Sequence, residues 1–485
     1  MANLLLQTYW RLPYWGKRWA ASLASRKWDR ERHGKHYSRV LGEIAEQDRW
    51  SREQLEDYQA ARLREIVLRA ATNVPYYVRS FSEAGINPGH VYSAAELPSL
   101  PILEKSTVRR EGEALVDRSL DRTTLLSMHT SGTTGSPLRL FCNARIESAR
   151  FAYAEARWHA VAGMQRRRNR SISIGGHLVC APDRTTPPYW VVNARWNQLY
   201  MSSYHLSDTR LPDYYRAVRE FAADYIEGYP SSVYALARFI VERGLAPVPL
   251  QACFTTAEVL FDYQREAIQK AFGCLTYDQY GCTEMVAFAA ECQAGRMHLS
   301  PEMGIVEVLD NQDRPVPCGE TGTFVCTGLV NDVQPLIRYR LGDTGSLSSE
   351  DCTCGSPLPL LGQVEGRVDA VLLTLDGRRI GRLDPVFKGV RCVAEAQIVQ
   401  DDWEIFRIRV VPGDGYSDDD GALARANLQE RVGRRAQISV EVVNRIERTR
   451  AGKFPAVVCN LPRTAPGQDT TARPPDIFQG RDRDE

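Results

Sequence analysis

His129-Thr130-Ser131-Gly132-Thr133-Thr134-Gly135-Ser136-Pro137 follows a short apolar run over 125–128 that reads as a strand. Hydroxyls and backbone N–H groups in such a loop can face phosphate oxygens, and its glycines let the main chain approach them closely. It is not a Walker A loop, because no Gly-Lys-Ser or Gly-Lys-Thr closes it. Ser, Thr and Gly also make plain polar turns. An unbroken run of them ending in Gly-Ser-Pro favours the phosphate reading.

Around this loop the pattern alternates. Short apolar runs at 172–174, 178–179 and 191–192 read as strands, and amphipathic runs at 145–162, 211–224, 231–243 and 261–272 read as helices. Alternation of this kind predicts an α/β domain with a largely parallel core sheet. From 304 to 346 the runs shorten, at 304–309, 323–327 and 336–339, which predicts an antiparallel β region. Upstream, Leu55, Tyr58, Leu63, Ile66, Val67 and Ala70 recur at helical spacing. Downstream, 371–375 and 378–380 flank Asp376-Gly377 as a hairpin. Strands at 396–399 and 405–411, a helix near 421–434 and a strand at 437–443 complete a small α+β unit. The end of the chain is rich in Pro, Gly and charge and reads as disordered.

Composition narrows the function. The chain has 485 residues, more than one ordinary domain, and a net charge of +1, which offers nucleic acid no electrostatic target. No apolar run is long enough to cross a membrane, and the opening residues do not read as a signal peptide. Twelve cysteines scattered over a long chain fit a reducing, cytoplasmic setting better than a disulfide scaffold. Residues 1–40 are basic and rich in Trp and Tyr. They suit either a peripheral membrane contact or packing on the main domain; packing is favoured, because their aromatics show no sustained helical stripe. Only seven of the 61 basic residues are Lys, so a Lys inside a motif stands out.

Four further motifs follow the loop. Asp278-Gln279-Tyr280-Gly281-Cys282-Thr283-Glu284 offers a ring, a glycine and a carboxylate at a spacing suited to a nucleotide base and Mg²⁺. It also fits a strand–turn–helix junction with Glu284 in the first helical turn. Tyr339-Arg340-Leu341-Gly342-Asp343 offers a carboxylate to ribose hydroxyls, or a simple hairpin turn. Gly366-Arg367-Val368-Asp369 stands at the start of the small unit, and Arg450-Ala451-Gly452-Lys453-Phe454 holds one of the rare lysines.

In this order the five motifs resemble the adenylate-forming superfamily, over about 125 to 460. Within it the chain looks most like the phenylacetate–CoA ligases and their relatives in capsular-polysaccharide biosynthesis. Asn73-Val74-Pro75-Tyr76-Tyr77, Tyr204-His205-Leu206-Ser207 and Glu227-Gly228-Tyr229-Pro230-Ser231 add to the likeness.

The resemblance implies an α/β fold: a large N-terminal adenylate-forming domain with mixed sheets and helices, residues 1–367, whose first 100 residues are a helical extension. A small mobile C-terminal α+β domain, 368–462, and a disordered tail, 463–485, follow. It implies that Thr130, Ser131, Gly132, Thr133, Thr134 and Gly135 hold the β- and γ-phosphates of ATP. Ala257 and Glu258, in Thr255-Thr256-Ala257-Glu258, line the adenine pocket with Tyr280 and Gly281. Thr283 meets the α-phosphate, Glu284 binds Mg²⁺, and Asp343 takes the ribose with Arg367 nearby. Asp369 is the hinge, and Lys453 is the catalytic cation during adenylation. Many relatives have Lys where this chain has Ser136.

The expected partners are a small-molecule carboxylic acid and an acceptor, CoA or the amine of an amino acid or sugar. His177, Trp190, Tyr204, His205, Tyr229 and Ser232 are the candidates for the acid pocket. A different class of reading is a non-catalytic nucleotide-binding protein on the same fold, but that predicts loss of Glu284 or Lys453, and both are present. Cys292 and His298, with Cys352 and Cys354, suggest a structural zinc site, and similar positions occur in some of the resembling relatives. The alternative is unconnected cytosolic thiols.

Overall fold

The computed structural model describes residues 2–130, 138–181, 183–207, 209–258, 260, 262–310, 312–365, 372–374, 379–380, 384–387, 389–390, 392–412, 415–444, 446 and 457–461. Helices α1 (Ala2–Arg11), α2 (Tyr14–Arg32), α3 (Lys35–Gln47), α4 (Arg52–Asn73), α5 (Pro75–Glu83) and α6 (Lys105–Glu111) precede the first strand. A reciprocal cap between Ser51 and Gln54 starts α4. This helix buries Leu55, Leu63, Ile66, Val67 and Ala70, five of the six residues picked out by their spacing. Pro75 opens α5, where its missing N–H costs nothing. Tyr77 is buried there; its hydroxyl donates to the Pro335 carbonyl at 3.1 Å and accepts from the Ile337 N–H at 3.0 Å.

Strands β1 (Leu126–His129) and β2 (Arg139–Cys142) form an antiparallel hairpin of their own. Helix α7 (Ala144–Tyr153) runs on through a π turn, Ala154–His159. Then come β3 (Ser171–Gly175), β4 (Trp190–Asn193), β5 (Gln198–Ser202), α8 (Leu211–Phe221), β6 (Tyr225–Gly228) and α9 (Pro230–Glu242). They are followed by β7 (Ala252–Thr256), α10 (Asp262–Phe272), β8 (Thr276–Gly281) and β9 (Phe288–Glu291). Strands β10 (Met297–Leu299), β11 (Gly304–Leu309), β12 (Gly322–Gly328), β13 (Tyr339–Ser348) and β14 (Leu360–Glu365) close the region.

Among the described residues these strands, β3 to β14, make one mixed sheet in the order β11-β12-β13-β14-β10-β9-β8-β7-β6-β3-β5-β4. The stretch from β5 to β8 is parallel and the rest is antiparallel. Helices α8, α9 and α10 cover one face, where Val218, Val233 and Ile268 pack on Ile172 and Ile226. On the other face α3 and α7 bring Ile44 and Ile146 to Tyr225 and Phe254.

One expected strand is absent and another is displaced. The 178–179 run forms none, since β3 already has β5 on one edge and β6 on the other. At 336–338 the strand starts late, because Arg338 takes a left-handed φ of +49° and β13 begins at Tyr339. No helix follows Glu284; β8 turns directly into β9.

The antiparallel half curls back. Three strands lie between β8 and β13 in the ladder, yet Tyr280 and Asp343 are hydrogen-bonded across the gap. Gly304 at the start of β11 lies so close to the β8–β9 turn that a Cβ there would meet the Val286 carbonyl oxygen at 2.0 Å. Only glycine permits that closure.

Downstream, β15 (Leu372–Leu373) and β16 (Arg379–Ile380) pair antiparallel, as the hairpin reading expects. Strands β17 (Val393–Asp402), β18 (Ile405–Pro412), β19 (Gln437–Val442) and β20 (Val457–Cys459) form a second sheet, order β19-β18-β17-β20, with α11 (Asp418–Val432) packed on it. No helix among the described residues is long and apolar enough to cross a membrane.

Candidate functional site

Parallel strands β3, β6, β7 and β8 end together at Gly175, Gly228, Thr256 and Gly281. Strand β5 lies on one side of β3 and β6 on the other, so the strand order reverses there. In open α/β sheets ligands bind outside the carboxyl ends of the strands at such a reversal. Gly228 sits in it, and a Cβ there would meet the Ile174 oxygen at 2.3 Å.

Tyr229 caps α9 at this point, its ring 3.7 Å from where a Gly175 Cβ would lie, and His177 is alongside. His177 is exposed, 3.4 Å from the Ser173 hydroxyl, and meets the Tyr200 ring edge-on with centroids 4.8 Å apart. Ser232 is buried in the first turn of α9, its N–H on the Tyr229 carbonyl. The structure therefore gathers His177, Tyr229 and Ser232.

It treats the other acid-pocket candidates differently. His205 is buried, with Nδ1 2.8 Å from the Ser202 hydroxyl, Nε2 3.0 Å from the Ala181 carbonyl and its ring stacked on Tyr189. Tyr204 turns away and packs among Leu372, Phe406 and Leu428 of the C-terminal layer, under the Arg431 guanidinium. Trp190 lies on edge strand β4, edge-on to Tyr214.

Behind the strand ends lies a charged cluster of which only Glu227 stands in one of the quoted motifs. Glu227 of β6 is buried; it accepts from Arg166 at 2.8 Å and Gln198 at 3.2 Å, and His159 Nε2 is 3.1 Å away. Burial works against its ionised form, but the Arg166 charge and the His159 hydrogen bond bring the carboxyl down to about 2.

The segment 255–258 leaves β7 with Ala257 at a left-handed φ of +70°, a conformation that side chains other than glycine rarely adopt. Glu258 accepts from the Ser231 N–H at 3.1 Å, at the positive end of α9. Thr255 donates to Asp278 at 2.7 Å, and burial, aided by Glu291, pushes the Asp278 carboxyl up to about 7. On β8, Tyr280 donates to Asp343 at 2.8 Å and sets its ring edge-on to Phe324. Burial, and then the Asp343 charge, hold that phenol well above its usual range, so it stays a donor. Gly281 is exposed at the strand end, and Thr283 is half-buried in the turn beyond it.

Glu284 is buried, accepts from the Tyr339 hydroxyl at 3.1 Å, and lies 3.8 Å from the Lys105 ammonium. Sequence reasoning missed Lys105 and Tyr339 as neighbours of this carboxylate; the scarcity of Lys was the available signal. At the loop between β1 and β2, Thr130 and Leu138 close the base of the hairpin through two 2.9 Å bonds, one backbone–backbone and one to the Thr130 hydroxyl. Ser131, Gly132, Thr133, Thr134, Gly135 and Ser136 lie outside the described residues, as do Arg367, Asp369, Lys453 and the 463–485 tail.

A second centre lies where β9, β10 and the loop before β14 meet. One donor atom from each of Cys292, His298, Cys352 and Cys354 falls within 4.8 Å of all the others. Cys292 follows β9 in a tight turn closed by Gly295, whose φ is +69°. The Cys292 and Cys352 sulfurs are 3.6 Å apart, far beyond a disulfide bond, and Cys354 Sγ is 3.4 Å from His298 Nε2. Metal–sulfur bonds of about 2.3 Å and metal–nitrogen bonds of about 2.0 Å place tetrahedral donors roughly 3.5–3.8 Å apart. Nδ1 of His298 faces the Leu358 carbonyl at 3.1 Å, which fixes the ring with Nε2 toward the thiols.

Residues 372–460 match the model of the CapK C-terminal domain. The chain is 25% identical to Protein CapK of Staphylococcus aureus over 89% of its own length and 94% of that protein. It is 27% identical to a phenylacetate–coenzyme A ligase of Thermus thermophilus, over 66% of this chain and 72% of the other. Among solved structures, a 2-hydroxyisobutyryl-CoA ligase in its thioesterification state superposes with a TM-score of 0.54 and 21% identity, covering 85% of this chain and 91% of that one. The chain is thus homologous to CapK and to the phenylacetate–coenzyme A ligases, and its fold is that of the adenylate-forming enzymes.

Proposed function

We propose that this protein is an AMP-forming carboxylate ligase. A carboxylate attacks the α-phosphorus of ATP, pyrophosphate leaves, and the acyl-adenylate passes its acyl group to an acceptor with release of AMP. The observation that carries this reading is the meeting of Tyr280, Asp343, Thr255–Glu258 and Glu284 around the carboxyl ends of β7 and β8, in a chain homologous to ligases. In this reading adenine stacks on Tyr280 beside Ala257 and Glu258, and the ribose reaches Asp343, which the Tyr280 phenol holds in place. Glu284, with the Lys105 ammonium 3.8 Å away, would hold Mg²⁺, which would supply charge neutralisation at the phosphates. The loop 130–135 cradles the outer phosphates, Lys453 stabilises the charge that develops at phosphorus, and the acid enters at Gly175, His177 and Tyr229.

CoA is the leading acceptor. An amino acid or sugar amine is the second, favoured by the CapK likeness over nearly the whole chain. The Cys292, His298, Cys352 and Cys354 cluster fits a structural Zn²⁺, since four protein donors leave no open position for chemistry. Its thiol donors suit a reducing cytoplasm.

The test is acid-dependent pyrophosphate release over a panel of aryl, fatty and sugar acids, with CoA, with mixed amines or with neither, and with product masses to identify the acceptor. Asp343→Ala should raise the KM for ATP roughly tenfold to hundredfold, the worth of a charged hydrogen bond. Lys453→Ala should lower the adenylation kcat by about 10²–10³ while ATP still binds. Normal adenylation in the Lys453 variant would overturn its role. ATP binding without release on any acid favours the non-catalytic reading.

A further inference from the structure

We propose that the outer face of α2 is a docking surface for an anionic phospholipid bilayer, which would hold the enzyme at a membrane without any spanning segment. The aromatic residues of the N-terminal region divide into two sets. Trp10 donates to the Leu178 carbonyl at 3.1 Å, and Trp28 packs on Trp196 with centroids 5.6 Å apart, so these belong to the main body. Trp15 and Trp19 do not: they are 68% and 74% exposed, and Leu23 is 63% exposed. Spaced four residues apart on α2, these three form one outward stripe.

The inner side of the same helix is fixed. Gly16, Lys17 and Ser25 are buried, Asn193 of β4 donates to the Ser25 hydroxyl at 2.7 Å, and Asp29 accepts from Trp196 at 2.9 Å and from Arg195. The stripe is therefore presented rigidly. Exposed Arg18 flanks it, and Arg26 and Arg30 continue it along the helix axis. Residues 2–32 contain seven Lys and Arg against two acids, Asp29 and Glu31.

Exposed Trp among Arg is the chemistry of the bilayer interface: indole at headgroup level, guanidinium on phosphate. A second copy would bring the same positive face against itself. Charge complementarity thus selects an anionic lipid surface.

The test is co-sedimentation of the full-length protein with phosphatidylcholine vesicles prepared with and without phosphatidylglycerol. Binding should require phosphatidylglycerol and weaken with salt. W15S/W19S should bind roughly tenfold or more weakly with an unchanged melting temperature, since both residues are exposed. R26E/R30E should do the same, and it decides the matter if the first variant fails to fold. No binding to anionic vesicles would overturn the proposal. So would variants that bind like the wild type, or loss of self-association in the variants without any lipid binding.

Discussion

Purified protein should contain about one zinc per chain, and Cys292→Ser should remove it together with several degrees of melting temperature. Four donors from two separate turns meet here. Without an ion, two sulfurs 3.6 Å apart and a third 3.4 Å from an imidazole nitrogen gain little from one another. With the ion, the β9–β10 turn and the loop before β14 are tied together. Zinc-finger peptides gain about 10–16 kcal/mol from such a site because nothing else folds them. Here the β9–β10–β14 ladder already holds both segments. The gain is therefore a fraction of that, on the order of 3–5 kcal/mol, or roughly 4–7 °C for a unit of this size. A strong chelator should shift the wild type as far as the substitution does and leave Cys292→Ser unmoved. Elemental analysis and melting curves read both effects. Absence of zinc, with wild-type melting in the variant, would remove the site. Mass spectrometry would separate that result from oxidation of Cys292 to Cys352.

The parts of the site legible in the sequence were those whose chemistry lies within a few consecutive residues. Tyr280, Glu284 and Asp343 could be picked out because each sits in a short run of unusual residue types. Their contact could not be, since Tyr280 reaches Asp343 only because the antiparallel half of the sheet curls past three intervening strands. The same closure brings Lys105, the first residue of α6, to Glu284. Residue type misled at His205, which looks like a ligand in sequence and is a hydrogen-bonded core residue in the fold. The N-terminal stripe was missed because the chain breaks between α1 and α2 at Pro13. A helical period counted across that break mixes two phases. Counted from Tyr14 alone, Trp15, Trp19 and Leu23 share one face.

Glu227→Gln should lower the stability of the protein by about 3–5 kcal/mol at neutral pH, because it leaves the Arg166 guanidinium in a buried site without its counter-charge. The size of the effect is tied to pH. The Glu227 carboxyl is depressed to about 2 from an ordinary value of 4.5, which corresponds to roughly 3 kcal/mol. A depressed carboxylate contributes fully above its unfolded pKa and loses that contribution as the pH falls through the folded value. The gap between wild type and Glu227→Gln should therefore stay constant from neutral pH down to about 4.5 and close toward pH 2. Denaturant titrations at several pH values measure it. Two causes could produce a loss at neutral pH: the missing attraction, or the stranded cation. The double variant Glu227→Gln/Arg166→Met separates them. If the stranded charge dominates, removing it should restore much of the lost stability, since an apolar side chain in place of a buried charge is often neutral or better. If the attraction dominates, the double variant should remain as weak as the single one. A single variant within about 1 kcal/mol of wild type at neutral pH would mean that water already screens the cluster, and that the low carboxyl pKa does not reflect a buried pair.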